Sequence, residues 1–424
     1  MSGGYSIPPV ETAWPSRPPV PDDGAVQCTH IDAAMAKASC AKLGYFQDPY
    51  TEQLIRNRTQ CRSPLIHRGY WSRVAAVRKT VLNFLKLAPK GGVQIVNLGA
   101  GFDTLYFWLR EDPSRWREDL VYFEVDFPEV LSKKVSAISK RQSLWPMLDV
   151  SSLEELTTRS STGMRDIRTK HCRLVQADMR IAPELRSAMD DAGLRADLPT
   201  LFIAECVLVY MQALHGDGII SWAASAVSAP SAMVMYEQTN PHDRFGKVMV
   251  QNLAERGCPL LSVFDYPSMD AQKTRYLERG WTRCLVADMN EVYSRHLDQS
   301  EVERIQKLEL MDEFEECGAR ERVRAHCQCR GNLAARQENA EGASPWFKTL
   351  QVYFVTHKLE GRMANGLNWL AASCSDGMMS AFLRFLLRPR QLQGFDAWEL
   401  QEVYMGRTSF SPEQVQHLAR ELLG

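Results

Sequence analysis

From residue 93 onward, short apolar runs alternate with longer stretches of helical spacing. The runs "VQIVNLG" (93–99), "LVYFEVDF" (120–127), "CRLVQAD" (172–178), "TLFIAECVLVY" (200–210) and "SAMVMYEQ" (231–238) each predict a strand, by length and by β-branched content. Their apolar character is nearly continuous rather than alternating, as strands covered on both faces require. The pattern therefore predicts an α/β fold with a parallel sheet between two helical layers. A later run, "LQVYFVTHKL" (350–359), is expected to close the sheet as a last antiparallel strand. Before the sheet, "DAAMAKASCAKLGYFQDPY" (32–50) predicts a helix capped by Asp32, carrying Met35, Ala38 and Ala41 or Lys42 on one face and ending at Gly44. A second helix is predicted over 70–87, with Trp71, Val74, Val77, Val81 and Phe84 or Leu85 on one side and "APKGG" as its stop. A third is expected in "TNPHDRFGKVMVQNLAERG" (239–257).

The flanks read differently. Residues 1–22 hold six prolines among small and polar residues, the composition of a flexible tail. Residues 23–90 form a helical unit, 91–359 the sheet-based core with a polar insert near 330–346, and 360–424 an amphipathic helical extension. Fifty basic against 51 acidic residues leave a net charge of -1, which argues against nucleic acid as the main partner. No apolar stretch reaches the 18 residues of a membrane span, and the N-terminus has no basic region followed by an apolar one. The 11 cysteines are odd in number and scattered, which suits free thiols in the cytoplasm. Cys327 and Cys329 beside His326 are the one close set. Without a second pair at finger spacing they predict no metal site.

Ligands of parallel sheets sit beyond the carboxyl ends of the strands, so the residues ending each run are the candidates. Gly99-Ala100-Gly101 follows the first run. Glycine there allows close backbone approach, and the next helix offers free N–H groups. The dinucleotide fingerprint needs a third glycine at 104, where Thr104 stands, so a small polar head or a nucleoside is favoured over a pyrophosphate. The alternative is a tight turn without a ligand. Asp126 ends the second run and is placed to accept from ribose hydroxyls; Glu124 lies on the same side but deeper. Asp178 and Met179 end the third, where they can hold an adenine or simply cap a helix and fill a core. Glu205 sits inside the fourth, an acid that needs a salt bridge or a cationic ligand group. A glycine turn and three acids suit an adenosine bearing an ammonium. S-adenosylmethionine fits and NAD fits poorly. The carboxylate of such a ligand needs a cation, for which Lys37 and Arg73 in the preceding helices are candidates, or else they are solvated helix-surface charges. Asp103 is expected to cap the helix after the turn.

The motifs "GYFQDPY", "HRGYWSRV", "QIVNLGAGFDT", "YFEVDFPEV", "QADMR", "LPTLFIAECVLVYM", "YEQTNPHDRFGKVMVQNL" and "DMNEVY" occur in the order found in the leucine carboxyl methyltransferase family. The resemblance runs from about 23 to 325 and resumes near 350–360. It implies a class I S-adenosylmethionine-dependent methyltransferase, a Rossmann-like, seven-stranded, mostly parallel sheet with an N-terminal helical lid. It also implies that Lys37, Arg73, Gly99, Asp126, Asp178, Met179 and Glu205 hold the cofactor. The departures are His67, where the family more often has Asn, and Met179 for Leu. The implied activity is methylation of the α-carboxyl group of the C-terminal leucine of the protein phosphatase 2A catalytic subunit. The products are the leucine methyl ester and S-adenosylhomocysteine, and the reaction regulates assembly of the phosphatase holoenzyme. Arg73 is expected to orient the acceptor carboxylate as well, through its fork of donors. Tyr210, expected with Arg73 to be catalytic, and Arg244, as a substrate-binding residue, are expected to help shape the leucine pocket. No metal, nucleic acid or membrane is expected to take part, and the protein is expected to act as a monomer.

Two other readings remain. The resemblance extends to a tRNA-modifying relative that methylates a carboxyl on a hypermodified guanosine and carries a large propeller, for which the 65 residues after 359 are too few. A degenerate, phosphatase-binding homologue without activity is disfavoured by the intact cofactor residues.

Overall fold

The computed structural model describes residues 22–55, 61–159, 165–309 and 350–357. The insert near 330–346, the extension 360–424 and the His326–Cys329 set lie outside the described residues, as do positions 1–21 of the tail. Five strands run parallel: β1 (Val93–Leu98), β2 (Leu120–Asp126), β3 (Cys172–Gln176), β4 (Thr200–Glu205) and β5 (Ser231–Gln238). Two more, β6 (Arg283–Asp288) and β7 (Leu350–His357), pair antiparallel, giving a seven-stranded sheet in the order β3-β2-β1-β4-β5-β7-β6. This is an open, doubly wound α/β sheet. The strand order reverses between β1 and β4, so a crevice opens at the carboxyl ends of these two strands.

Successive side chains of each strand enter opposite layers. Ile95, Tyr122, Leu201 and Val234 pack on one side against helix α2 (Pro64–Leu87), α3 (Leu105–Glu111) and α4 (Pro128–Ser139). Val96, Phe123, Phe202 and Met233 pack on the other, against α5 (Ala182–Asp191), α6 (Ala213–Ala226) and, through Tyr276, α8 (Met269–Leu277). Helix α1 (Asp23–Lys42) lies before α2, and α7 (Arg244–Glu255) follows β5. A short α9 (Gln299–Gln306) precedes β7. A small two-stranded hairpin, Thr157–Arg159 with Arg165–Ile167, forms a second sheet beside β3, where Asp166 accepts from Gln176 Nε2 at 2.6 Å.

Several boundaries differ from expectation. Helix α1 starts at Asp23, not at Asp32, because Asp22 caps it by accepting from the Gly24 N–H at 2.9 Å. Asp32 sits within the helix and pairs with Arg256. Gly44 does end it, with φ +84°. Helix α2 begins six residues earlier than expected, where Ser63 and Pro64 provide an N-cap position and a first turn. The 350–357 strand closes no edge: it lies between β5 and β6, and β6 forms the border. Among the described residues no helix is long and apolar enough to cross a membrane.

Candidate active site

The turn after β1 is tied to β2 at both ends. Gly99 and Ala100 donate their N–H groups to the Val125 carbonyl at 2.8 and 3.2 Å, and the Gly101 N–H reaches the Asp126 carboxylate at 2.7 Å. Gly99 has φ +65°, and a Cβ there would stand 2.5 Å from Val207 Cγ2, so both backbone and space demand glycine. Asp126 also accepts from the Phe127 N–H at 2.7 Å. Burial pushes its carboxyl up to about 6 despite these two bonds. One function of Asp126 is thus to brace the glycine turn. Deeper in β2, Glu124 pairs with Lys134 of α4, both almost fully buried, and burial pushes the Glu124 carboxyl up to about 7.

Helices α1 and α2 bring two cations to the turn. Lys37 Nζ lies 2.7 Å from Asp103 Oδ1. The expectation that Asp103 caps the following helix is corrected: Thr104 holds the N-cap position of α3 without a side-chain capping bond, and Asp103 turns to Lys37 and to Asn97 Nδ2 at 3.0 Å. Burial opposes ionisation of Asp103, but the Lys37 ammonium outweighs it and holds the carboxyl at about 2. Arg73 pairs through Nε with Glu205 Oε2, and its Nη2 donates to the Glu205 carbonyl at 3.2 Å. The guanidinium lies over the Tyr236 ring, 4.7 Å from its centroid. The buried acid expected in the fourth run is therefore salt-bridged, and its partner is the arginine expected at the cofactor.

These groups surround one cavity of about 630 Å³, within the range of small-molecule sites. Lys37, Arg73, Gly99, Asp126, Met179, Glu205 and Tyr210 all line it. Burial pushes the Tyr210 hydroxyl well above its usual range, so it stays protonated. Two expected residues are not among the lining ones. Asp178 is held by Arg180, whose Nη2 lies 2.7 Å from Asp178 Oδ2 and which also binds Asp23 of α1. Arg244 opens α7, and Phe245, Val248 and Met249 on that helix reach the cavity in its place.

Some residues that position the site were not anticipated. Glu237, fully buried in β5, accepts from the Val209 N–H at 2.9 Å and so fixes the turn carrying Cys206, Val207 and Tyr210. Its signal in the sequence was an acid within an apolar run, one residue from the end of the strand. Cys206 holds φ +56°, and its N–H donates to the Tyr236 carbonyl at 2.7 Å. His67, the departure from the family pattern, is buried. It joins α1 to the segment after α9: Ser39 Oγ lies 2.8 Å from Nε2, and Glu309 Oε2 2.7 Å from Nδ1.

A model of the family described as leucine carboxyl methyltransferase matches residues 25–224. An Arabidopsis thaliana protein, "Leucine carboxyl methyltransferase 1 homolog", is 39% identical over 294 residues, which are 69% of this chain and 85% of that one. The Bos taurus "Leucine carboxyl methyltransferase 1" is 39% identical over 304 residues, 71% of this chain and 88% of its own. The Homo sapiens "tRNA wybutosine-synthesizing protein 4" is 38% identical over 298 residues, 69% of this chain but 42% of that protein.

Proposed function

Because the chain belongs to the leucine carboxyl methyltransferase family, we propose that it methylates the α-carboxyl group of the C-terminal leucine of the protein phosphatase 2A catalytic subunit. S-adenosylmethionine is the donor, and leucine methyl ester and S-adenosylhomocysteine are the products. The observation that carries this reading is the convergence of a glycine turn, a buried strand-end acid and two cations on one cavity. In this assignment Asp126 receives the ribose hydroxyls, Met179 packs on the adenine, and Gly99, Lys37 and Arg73 receive the amino-acid end. Both charge types needed by such a zwitterionic nucleoside are present, so the residues fit the group. The regulatory consequence for phosphatase assembly and a cytoplasmic location belong to the same proposal. The described cysteines are free thiols, which suits a reducing compartment.

S-adenosylmethionine supplies a methyl group already activated on a sulfonium. An acceptor carboxylate is ionised at neutral pH, so no general base is required. Tyr210 suits this economy, since it stays protonated and can donate to an acceptor oxygen. The work of the chain is to align the acceptor and strip its water. Proximity and orientation can contribute an effective molarity on the order of 10⁵ M or more. The apolar side chains of Phe245, Val248 and Met249 offer an environment for a leucine side chain, and the aromatic rings around Arg73 exclude water.

Asp126 makes the assignment testable by pH. Its carboxyl is raised in the free protein, so between about 4 and 6 the folded chain binds more protons than the unfolded one, and stability falls as pH rises through that window. Hydroxyl donors favour the carboxylate form, so cofactor binding releases the proton. Affinity for S-adenosylhomocysteine is expected to rise by up to about tenfold per pH unit up to about 6 and then level off. Calorimetry on the Asp126→Asn variant should give weaker binding with no such slope. A slope that survives in the variant would assign the proton elsewhere. The acceptor is tested by offering the enzyme phosphatase catalytic subunit and tRNA in parallel, with labelling of the tRNA alone favouring the second activity named among the relatives.

A further inference from the structure

Four cationic side chains line the cavity: Lys37, Arg62, Arg73 and Arg256. Three are neutralised within the protein, Lys37 by Asp103 at 2.7 Å, Arg73 by Glu205 and Arg256 by Asp32. Arg62, half-buried just ahead of α2, has no ion pair or side-chain hydrogen bond among the described residues. Of the carboxylates lining the same cavity, Asp126 alone lacks a cation, and it is bonded to backbone N–H groups instead. One acid and one guanidinium thus line the cavity with no opposite charge from the described residues beside them. Asp126 is taken by hydroxyls in the reading above. Arg62 is left facing a cavity with no anion assigned to it.

Arg62 and Arg73 lie at opposite ends of one face, with Ile66, Gly69 and Tyr70 between them, all lining the cavity. From Pro64 to Arg73 the helix rises about 14 Å at 1.5 Å per residue, and Arg62 lies two residues ahead of that start. Arg73 pairs with Glu205 and is assigned above to the cofactor's amino-acid end, so the two arginines serve different anions. A guanidinium facing the cavity is open to an anionic ligand group, and a carboxylate is the one that its planar fork matches best. We propose that Arg62 is a substrate-binding residue that holds a carboxylate of the acceptor polypeptide. This carboxylate is either the chain-terminal group itself or an acidic side chain just upstream. The inference rests on the reading that the acceptor is a polypeptide carboxyl end.

The test uses the full chain saturated with S-adenosylhomocysteine and three fluorescent leucine-terminated peptides. One has a free terminal carboxylate and upstream acids, one a terminal carboxamide, and one has its upstream acids changed to amides. Loss of the carboxylate held by Arg62 is expected to weaken binding to the wild type by about tenfold or more. Which of the two altered peptides suffers identifies the source of the group. Arg62→Gln should bind the intact peptide weakly by the same factor and be indifferent to that alteration, and Arg62→Lys should restore part of it. S-adenosylhomocysteine affinity should be unchanged in both variants. Wild-type binding indifferent to both alterations, an Arg62→Gln variant that keeps the full discrimination, or a loss of S-adenosylhomocysteine affinity would overturn the inference. If carboxylate discrimination through Arg62 is found while the phosphatase is not methylated, the choice of acceptor is wrong and the role of Arg62 stands.

Discussion

Arg73→Ala is expected to lower methyl-ester formation by about 10²–10³-fold, the scale seen when a preorganised donor leaves a water-excluded site. The residue meets the Glu205 carboxylate, the Glu205 carbonyl at 3.2 Å, Cys206 Sγ at 3.7 Å and the rings of Tyr70 and Tyr236. Its proposed further partner is a ligand carboxylate. Removing Arg73 leaves Glu205 with little solvent and without its ion-pair partner. Loss of one member of a buried ion pair costs about 3–5 kcal/mol, so a lower melting temperature should accompany the loss of activity. The two effects separate in Arg73→Lys. Lysine keeps the charge beside Glu205 but has no planar fork and stacks less well, so stability should largely return while activity does not. Initial rates and thermal melts on both variants check this. Near wild-type turnover in a folded Arg73→Ala protein would remove Arg73 from the reaction.

Gly99→Ala should be nearly as damaging, for a different reason. The residue needs φ +65°, which costs an alanine about 1–2 kcal/mol. The new Cβ would also stand 2.5 Å from Val207, a branched side chain packed in the second core layer. Neither side can yield without moving the turn. Its movement would pull the Gly101 N–H from Asp126, which holds it at 2.7 Å. The variant is expected to fold with reduced stability and to lose S-adenosylhomocysteine affinity by at least about tenfold, measured by calorimetry. Wild-type affinity in Gly99→Ala would mean that the ligand does not depend on this turn.

The sheet was legible because five parallel strands, buried on both faces, must be nearly continuous apolar runs, and the run 231–238 is the strand itself. The candidate acids were legible for the same reason, since an acid ending such a run has to be explained. Strand β6, "RCLVAD", was not legible. It is only partly buried, as a border strand is, and follows a polar helix. The placement of 350–357 inside the sheet depends on pairing across more than 60 residues of chain, as in Cys284 with Val355, and no local pattern encodes it. The start of α1 was hidden differently. Residues Ala34–Cys40 are all buried, so the helix has no polar stripe to give a clear period. Partners were the least legible feature. Asp103 has the local spacing of a cap, but a lysine 66 residues earlier in the chain outcompetes that use. Asp178 likewise gives its carboxylate to Arg180, two residues on, which a strand-end reading does not reveal.

The central claim is that the acceptor is the terminal carboxylate of a leucine on the phosphatase catalytic subunit. It is tested most directly by transfer of labelled methyl from S-adenosylmethionine to that subunit, once with its terminal leucine intact and once with that residue deleted. The account predicts base-labile label on the intact subunit and none on the shortened one. Equal labelling of both forms, or no labelling of the intact one by an enzyme that binds S-adenosylhomocysteine, would contradict it.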